Sequence, residues 1–313
     1  MSKILMLSGL QASGKSTKAK ETVAQGNWVR LNKDLLRTML HFDKFSGHNE
    51  GLTIDAERAL AKTFLNAGIN VVVDDTNLGE RHKQSWQALA IECHAKFEST
   101  FIDTELNECL NRNSNRANSV PSHVIVQTAM QYQMYPQPKK SFIICDLDGT
   151  LADITHRLHF VKAENMLAVP LRLEKAAKEI VGEFKKDWNS FFDNVYYDAV
   201  RWNVVKLLKE YVCQGHPFIL VSGRPERCRA DTEKWLFEQI YDNLEWQNLD
   251  KHVTLIMRQD HDKRDDDILK TDIYNKYLKH YPIEVVIDDR PRVLRAWAML
   301  KLRTIDVGPG IEF

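Results

Sequence analysis

The sequence has no excess of charge of either sign and no long apolar run. Its 313 residues carry 43 Lys plus Arg and 43 Asp plus Glu, so the formal net charge is zero. A protein that grips a long tract of nucleic acid normally presents a basic footprint, so any nucleic-acid contact is expected to be local. No run approaches the roughly 18 apolar residues that span a bilayer, and we expect no membrane segment.

Cysteine is also scarce and unpatterned. The five cysteines are odd in number, widely spaced and without a CxxC pair. This pattern favours neither a disulfide framework nor a zinc site. The start, MSKILMLSG, holds too short an apolar core for a signal peptide, and we expect a cytoplasmic protein.

The length predicts two domains, with the joint in MYPQPKKS, residues 134–141. Before the joint, strands near 3–8, 69–74 and 97–102 alternate with helices near 15–25, 53–67 and 80–93. After it, strands near 141–145, 217–221, 253–257 and 283–287 alternate with helices near 200–213, 227–240 and 267–280. Such alternation is typical of doubly wound parallel α/β sheets. We predict two such domains, 1–138 and 139–313, with a mostly helical cap inserted at roughly 151–199.

GLQASGKST, residues 9 to 17, follows an apolar strand and satisfies the pattern G-x-x-x-x-G-K-[ST]. The glycines of that pattern turn backbone N–H groups toward the phosphates of a nucleotide, the lysine reaches the β and γ phosphates, and the hydroxyl ligates Mg²⁺. The residues predicted to bind ATP are Gly9, Gly14, Lys15, Ser16 and Thr17, with Ser16 holding the metal. A glycine turn with an incidental lysine is the alternative, but the strand before it and the helix after it argue against that.

RLNKDLLRTML, residues 30–40, places Asp34 and Arg37 on one face of a predicted helix. A phosphoryl-transfer site needs a carboxylate that accepts the proton of the acceptor hydroxyl and a cation that fixes the acceptor. The pair could supply both. Taken alone, the spacing is more typical of a surface salt bridge, and the sequence leaves both interpretations open.

Two further segments could complete this site. VVVDDTN, residues 71–77, indicates a buried strand that ends at Asp74 and Asp75, a position similar to a Walker B acid, and we predict that Asp75 contacts the substrate. NRNSNRANSVP, residues 111–121, offers Arg112 and Arg116 as a lid whose arginine would neutralise charge on the transferred phosphoryl group. The alternatives are acids that simply end a strand and arginines that are simply solvated.

DLDGT places Asp146 and Asp148 directly after the predicted strand SFIIC. A calcium loop needs glycine at its sixth position and glutamate at its twelfth, but Gly149 is fourth and Arg157 is twelfth. A carboxylate can instead attack phosphate as a nucleophile, when a metal offsets the charge and a second acid protonates the leaving oxygen. The segment therefore predicts an aspartyl phosphatase.

Later strand ends carry groups that suit the same chemistry. They are SGR at residues 222–224, Arg258 and Lys270 in TLIMRQDHDKRDDDILK, and Asp288 with Asp289 in IEVVIDDR. Because the carboxyl ends of parallel strands meet at one edge of a sheet, we expect these groups to gather there. Each of these motifs alone is common at turns or at the ends of strands. Only their occurrence together indicates a phosphatase site.

Together these motifs resemble the bacteriophage polynucleotide kinase/3′-phosphatases, over nearly the whole chain. The motifs are GLQASGKS, NKDLLR, DDTN, RNSNR, DLDGT, SGR, MR with ILK ending twelve residues on, and DDR. That family joins an N-terminal P-loop kinase to a C-terminal phosphatase of the haloacid dehalogenase superfamily. The resemblance implies a P-loop NTPase-like domain followed by a Rossmannoid phosphatase domain with a cap.

The resemblance also implies residue roles. Lys15 and Ser16 would serve ATP and Mg²⁺, Asp34 would be the general base on a 5′-hydroxyl, Arg37 would hold the neighbouring phosphate of the acceptor, and Arg116 would be the lid arginine. Asp146 would be the phosphatase nucleophile and Asp148 its general acid and base. The expected substrate-binding residues are Thr150, Ser222, Gly223, Arg224, Arg258 and Lys270, and the expected metal-binding residues are Asp146, Asp148, Asp288 and Asp289.

The predicted function is the healing of nucleic-acid ends. The enzyme would transfer the ATP γ-phosphate to 5′-hydroxyl ends of RNA or DNA and remove 3′-phosphate or 2′,3′-cyclic phosphate ends, tRNA included, for an RNA ligase partner. It would act in the host cytoplasm if a phage encodes it. The sequence is compatible with a homo-oligomer and does not decide the oligomeric state. One alternative is a kinase/phosphatase of small nucleosides or sugar phosphates, favoured by the neutral charge and by the divergent segments DITHRLHFVKAEN and KKDWNSFFDN. Another is an ATP-gated binding module without catalysis.

Overall fold

A computed structural model of the chain describes residues 1–44, 46–162, 184–241 and 254–308. The chain forms two compact units, Met1–Tyr135 and Pro136–Phe313. This division falls in the stretch that contains the two prolines and two lysines. The middle of the expected cap, residues 163–183, lies outside the described residues.

The first unit is a four-stranded parallel sheet with the strand order β2-β3-β1-β4. Its strands are β1 Lys3–Ser8, β2 Trp28–Leu31, β3 Asn70–Asp74 and β4 Lys96–Phe101. Its helices are α1 Lys15–Ala24, α2 Lys33–His41, α3 Gly47–Asn66, α4 Glu80–Glu92, α5 Leu106–Ser114 and α6 Ser122–Gln131. Strand β2 was not predicted, because its four residues run almost directly into α2 and show no separate period.

Helices cover both faces of this sheet because successive strand residues point to opposite sides. On one face Ile4 and Val71, which are paired in register, pack in a cluster with Leu65 of α3 and Trp86 of α4. On the other face Leu7 and Val72 pack against Ala19 of α1. The near-continuous apolar strands are those expected of a parallel sheet buried on both sides.

The second unit is a five-stranded parallel sheet with the order β11-β10-β5-β8-β9. Its strands are β5 Phe142–Cys145, β8 Phe218–Pro225, β9 Thr254–Arg258, β10 Ile283–Asp288 and β11 Thr304–Asp306. Two short strands, β6 Ala152–Asp153 and β7 Ala199–Val200, form a separate antiparallel pair. The α-helices are α7 Trp188–Asp193, α8 Trp202–Cys213, α9 Arg229–Leu236, α10 Asp266–Ile273 and α11 Pro291–Met299. Short 3₁₀ turns span Thr155–Phe160, Val195–Tyr197 and Glu226–Cys228, and π-helical turns span Phe237–Tyr241 and Tyr274–Leu278.

The predicted class of two parallel-sheet α/β units is confirmed. The core of the second unit joins the central strands to the segment that follows β5, since Ile143, Leu220 and Ile287 share one cluster with Phe191 and Val195. Within the described residues, no helix combines the length and the apolar character that crossing a membrane requires.

Candidate functional site

The loop between β1 and α1 has a backbone shape that requires glycine at two positions. Gly9 has φ +148° and Gly14, which precedes α1, has φ +107°. A Cβ on Gly9 would lie 2.8 Å from the backbone oxygen of Ile102. Side chains strain such a backbone, which explains the glycines of the predicted phosphate-binding pattern.

Lys15 begins α1 and folds back over that loop. Its Nζ donates to the backbone oxygens of Gly9 at 3.0 Å and Leu10 at 2.6 Å. Burial lowers the pKa of Lys15, and the nearby Asp74 carboxylate opposes this shift. Ser16 and Thr17 are exposed on the first turn of α1. The predicted ammonium, hydroxyls and loop are therefore neighbours at the end of β1.

Helix α2 carries Asp34 and Arg37 as an ion pair, with Arg37 Nη1 2.7 Å from Asp34 Oδ1. Arg37 is also held by Glu50 of α3, whose Oε2 accepts from Nε at 3.0 Å and from Nη2 at 2.8 Å. The Asp34 side chain is 82% exposed. The salt bridge between Asp34 and Arg37 that the simpler interpretation predicts therefore exists. Glu50 also holds Arg37, and the exposed carboxylate of Asp34 can still be reached by an acceptor.

The carboxyl end of β3 anchors the start of α2. Asp74 Oδ2 accepts from Arg30 Nε at 2.8 Å, and Asp75 Oδ1 accepts from the backbone N–H of Lys33 at 2.9 Å. Lys33 immediately precedes Asp34 in the chain. The two acids thus position the helix that carries the predicted base, and contact between Asp75 and a substrate stays a prediction.

Asp75 has a buried neighbour that sequence reasoning did not identify. Glu57, in the middle of α3, is 2% exposed and lies within hydrogen-bond range of the Asp75 carboxyl. Each acid has one buried oxygen, Glu57 Oε1 and Asp75 Oδ2, that receives no hydrogen bond from any described residue. Burial raises the pKa of Glu57 and the Asp75 charge adds to that shift, so that the pKa is about 9. One proton shared by the pair would supply the missing donor.

The predicted lid, residues 111–121, begins in the last turn of α5 and ends directly before α6. Arg116 is exposed, and its charge acts on the Lys15 ammonium. Arg112, the other arginine of this segment, donates from Nη1 to the backbone oxygen of Ser13 at 3.3 Å. Both arginines therefore lie beside the phosphate-binding loop.

In the second unit, the ends of β5 and β10 gather a compact acidic cluster. One oxygen each from Asp146, Asp288 and Asp289 lies within 4.8 Å of the others, and all three side chains are buried. Lys270 of α10 lies between two of them, with Nζ 2.8 Å from both Asp146 Oδ1 and Asp288 Oδ2. The predicted nucleophile, lysine and metal acids are therefore brought together.

The charges of this cluster suit a divalent cation. Burial raises the pKa of Asp146; Lys270 opposes that shift, and Asp288 and Asp289 add to it. Burial and Asp288 raise the pKa of Asp289 to about 6. Lys270 faces the three carboxylates, and Arg290, which is paired with Asp266, also acts on them. Carboxylate oxygens are the ligands that Mg²⁺ prefers.

Asp148 is not part of that cluster, and two arginines contact one of its carboxylate oxygens. Asp148 Oδ1 accepts from Arg157 Nη2 at 2.6 Å and from Arg224 Nε at 2.8 Å. Asp198 holds both arginines from the far side, accepting from Arg157 Nε at 2.7 Å and from Arg224 Nη2 at 2.6 Å. Burial would raise the pKa of Asp148, but Arg157 and Arg224 outweigh it and hold that pKa well below its usual range.

The remaining predicted residues contact the acidic cluster, the arginines that hold Asp148, or one another. Thr150 Oγ1 lies 3.2 Å from Asp289 Oδ1, and Ser222 Oγ accepts from the backbone N–H of Arg224 at 3.2 Å. A Cβ on Gly149 would lie 2.1 Å from Asp289 Oδ2, so only glycine fits the DLDGT turn. Gly223 and Arg258 are joined, since Arg258 Nε donates to the Gly223 oxygen at 2.8 Å.

Several residues of these sites gave no usable signal in the sequence. Arg157, Asp198, Glu50 and Glu57 are ordinary charged residues in polar or mixed segments, and only the fold shows which of them are buried. Asp266, which accepts from Arg290 Nη1 at 2.5 Å, lies in a run of three aspartates that reads as a solvated turn. The partner of each is far away in sequence.

The fold and these two sites define a class of protein, a P-loop unit followed by a phosphatase-like unit that carries an aspartate nucleophile motif. Family models match both parts. The model described as AAA domain matches residues 4–138, and the model described as polynucleotide kinase PNKP phosphatase domain matches residues 185–311. Each model matches less than half of the chain, so the chain holds one region similar to an AAA domain and another similar to the phosphatase domain of polynucleotide kinases.

Known proteins resemble the chain over different spans. A protein of Autographa californica nuclear polyhedrosis virus, provisionally named bifunctional polynucleotide kinase/RNA ligase, is 28% identical over 96% of this chain and 42% of its own length. The L-seryl-tRNA(Sec) kinase of Methanococcus maripaludis is 27% identical over 50% of this chain and 61% of its own length. A solved structure of the Pnkp1/Rnl/Hen1 RNA repair complex contains a chain with 25% identity, coverage of 99% and 97%, and a TM-score of 0.39. The chain thus spans less than two thirds of the length of either curated relative.

Proposed function

We propose that this chain phosphorylates 5′-hydroxyl ends and removes 3′-phosphates from the ends of RNA or DNA. The observation that carries the proposal is the cluster of Asp146, Lys270, Asp288 and Asp289, which occurs in the same chain as a phosphate-binding loop. The matches to the two family models support the same pairing of activities. Removal of 2′,3′-cyclic phosphates belongs to the same proposal.

In the kinase unit, Asp34 takes the proton of the 5′-hydroxyl while that oxygen forms a bond to the γ-phosphorus. The bond between the γ-phosphorus and the bridging oxygen breaks, and ADP leaves. Lys15 and Arg116 offset the charge of the transferred group, as cations do in phosphoryl transfer. Arg37 binds the phosphate next to the acceptor, and its contact with Glu50 keeps it in position. The exposure of Asp34 supports this role, because a long substrate must reach the base.

In the phosphatase unit, a carboxylate oxygen of Asp146 attacks the phosphorus, the bond to the 3′-oxygen breaks, and the proton of Asp148 passes to that leaving oxygen. The resulting aspartyl-phosphate is hydrolysed by water, whose proton passes to Asp148, and Asp146 is regenerated. Arg157 and Arg224 lower the pKa of Asp148, which favours release of its proton to the leaving oxygen and makes its carboxylate a weak base. Its roles as acid and as base both stay predictions.

We propose that the first unit binds ATP with Mg²⁺ and that the second unit binds Mg²⁺ alone. Ser16 would hold Mg²⁺ in the first site, and Asp146, Asp288 and Asp289 would hold it in the second. The ion, when bound, supplies positive charge that offsets the phosphoryl oxygens. The metal role of Asp148 stays a prediction, and its Oδ1 accepts hydrogen bonds from two guanidinium groups.

The setting we propose is RNA repair together with an RNA ligase. The viral relative is named for a kinase and an RNA ligase in one chain, which supports a ligase partner here. The zero net charge supports recognition of an end, because a tract binder neutralises many phosphates. We propose the cytoplasm of the host cell as the place of action.

The test is incubation of the full chain with ATP, Mg²⁺ and an oligonucleotide that bears a 5′-hydroxyl and a 3′-phosphate. Mass analysis should show a phosphate gained at the 5′ end and another lost from the 3′ end. A mononucleoside and a sugar phosphate serve as the second set of substrates. Modification of these small molecules, with the oligonucleotide left untouched, would contradict the proposal and favour small-molecule acceptors.

A further inference from the structure

A short aromatic helix forms part of the cavity that contains the phosphatase nucleophile. The cavity has a volume of about 620 Å³, and Asp146, Asp148, Trp188 and Phe192 all line it. This volume is within the range of pockets that enclose a small ligand. One wall therefore carries the carboxylates of the reaction, and another carries aromatic rings that the reaction does not use.

The indole of Trp188 is held in place yet remains accessible. The buried Phe191 ring meets it edge to face, with centroids 5.6 Å apart, and the Phe192 ring lies nearly parallel to it at 5.8 Å. The Trp188 side chain is still 41% exposed. A large flat ring that is fixed from behind and open toward a cavity is suited to stacking, since little conformational freedom is lost on binding.

The charges on the cavity wall limit what the ligand can be. The lining side chains comprise seven Lys or Arg and six Asp. A polyanion that ran through the cavity would meet almost as many like charges as opposite ones. A single phosphate monoester attached to an uncharged nucleoside fits such a wall better, and the last nucleotide of a strand that ends in a 3′-phosphate presents this combination.

Lys186 lies over the ring. Its Nζ lies 5.2 Å from the centroid of Trp188. An exposed cation–π contact is weaker than the stacking of a nucleobase on an aromatic side chain. A base can therefore displace the ammonium, which is then close to the backbone phosphate of the same substrate.

We propose that Trp188, backed by Phe191 and Phe192, is the stacking platform for the nucleobase of the nucleotide whose 3′-phosphate is removed at Asp146. This inference rests on the proposed phosphatase function and adds to it the recognition of the base. The platform accepts any base, because each base offers an aromatic face. Its contribution lies in binding, since no atom of Trp188 takes part in the chemical step.

The experiment compares two substrates on the full chain. One is a short oligonucleotide with a 3′-phosphate, and the other is the same oligonucleotide with an abasic terminal nucleotide. Trp188→Ala should raise KM for the first by about 5- to 150-fold, which corresponds to one lost base stack, and should leave kcat within about twofold. KM for the abasic substrate should not change, and Trp188→Phe should keep most of the affinity.

Trp202→Ala is the matched control, because Trp202 is similarly exposed at 46%, lies in the same unit and does not line the cavity. It should behave as wild type on both substrates. Trp188→Leu, which keeps apolar bulk without an aromatic face, should show the same rise in KM, and it replaces the alanine variant if that variant does not fold.

Two results separate this inference from the function it rests on. Equal kcat/KM of the wild type on the two oligonucleotides, or an equal loss on both in Trp188→Ala, would overturn the stacking platform and leave the phosphatase intact. Hydrolysis of a simple phosphate monoester, without hydrolysis of either oligonucleotide, would overturn the proposed function and the platform with it.

Discussion

The two sites differ in how their charged side chains are held. In the first unit the predicted base Asp34 is 82% exposed, and Ser16, Thr17 and Arg116 are exposed as well. In the second unit Asp146, Asp148, Lys270, Asp288 and Asp289 are all buried and bonded to one another or to buried arginines. The first site is shaped mainly by its backbone loop, and the second by a network of charges.

The difference has a physical consequence for mutations. An exposed carboxylate interacts weakly with its surroundings, so its loss removes function at little cost in stability. A buried charge that loses its partner is strongly destabilising. Substitutions at the exposed residues of the first site should therefore separate activity from folding, whereas most substitutions in the second site should not.

The largest effect is expected for Asp146→Asn. Removal of the nucleophile should lower phosphatase kcat by at least roughly 10⁴-fold, by analogy with other nucleophile deletions. The kinase rate should stay within about twofold, because the kinase site belongs to the other unit. Both rates are measured on end-labelled oligonucleotides. Parallel loss of both activities in a folded variant would contradict the account.

Asp34→Ala should show the opposite pattern. Loss of a general base should lower the kinase rate by about 10² to 10⁴-fold and spare the phosphatase. Since Asp34 is exposed, the unfolding transition should be unchanged, and chemical denaturation checks this. Asp43→Ala, an exposed acid that follows the same helix, is the control and should retain kinase activity.

Asp198→Ala should cost stability as well as activity. Asp198 is buried and accepts hydrogen bonds from both Arg157 and Arg224, so its removal should lower the free energy of unfolding by about 3–5 kcal/mol. Phosphatase activity should fall with it, because these arginines position Asp148. Asp272→Ala, which breaks an exposed pair with Arg264, should cost less than about 1 kcal/mol. Equal costs for the two variants would show that the buried network has no special role.

The buried acid pair of the first unit predicts a dependence on pH. Because the folded-state pKa of Glu57 is raised to about 9, the folded state binds more protons than the unfolded state above pH 4.5. Stability should therefore fall as pH rises from 4.5 toward 9. Glu57→Gln, which stays neutral, should lack this contribution, so its unfolding free energy should improve relative to wild type as pH rises. Glu92→Gln, at an exposed pair with Lys62, should follow the wild type.

The smallest effect concerns salt. Two phosphate contacts on a single strand predict a slope of about −1.4 in a plot of log binding constant against log salt concentration. Oligonucleotide binding measured between low and moderate salt checks this. A slope several times steeper would indicate a bound tract instead of a bound end.

The parts that sequence could predict are those that depend on local pattern. The parallel α/β class and the glycines at positions 9, 14 and 149 follow from strand periods and from backbone shape. Lys270 and Asp288 could be grouped with Asp146 because the carboxyl ends of parallel strands share one edge. Strand β2 was missed, since four residues carry too little period to be separated from the helix that follows.

The rest depends on contacts between residues far apart in the chain. Nothing near Asp198 shows that it is buried against Arg157 and Arg224, and nothing near Glu57 indicates Asp75. The metal role that the family resemblance implies for Asp148 stays a prediction. In the folded unit Asp146 and Asp148 face different partners, one the acidic cluster and the other the arginines.

The central claim is that one chain carries two independent phosphate sites, and mixing two defective variants tests it most directly. Asp34→Ala and Asp146→Asn are each incubated with ATP, Mg²⁺ and an oligonucleotide that has a 5′-hydroxyl and a 3′-phosphate, separately and then together. Alone, each variant should modify one end only, and the mixture should yield product with a 5′-phosphate and a 3′-hydroxyl. A mixture that fails to complete both ends, or a single variant that has lost both activities while folded, would contradict the claim.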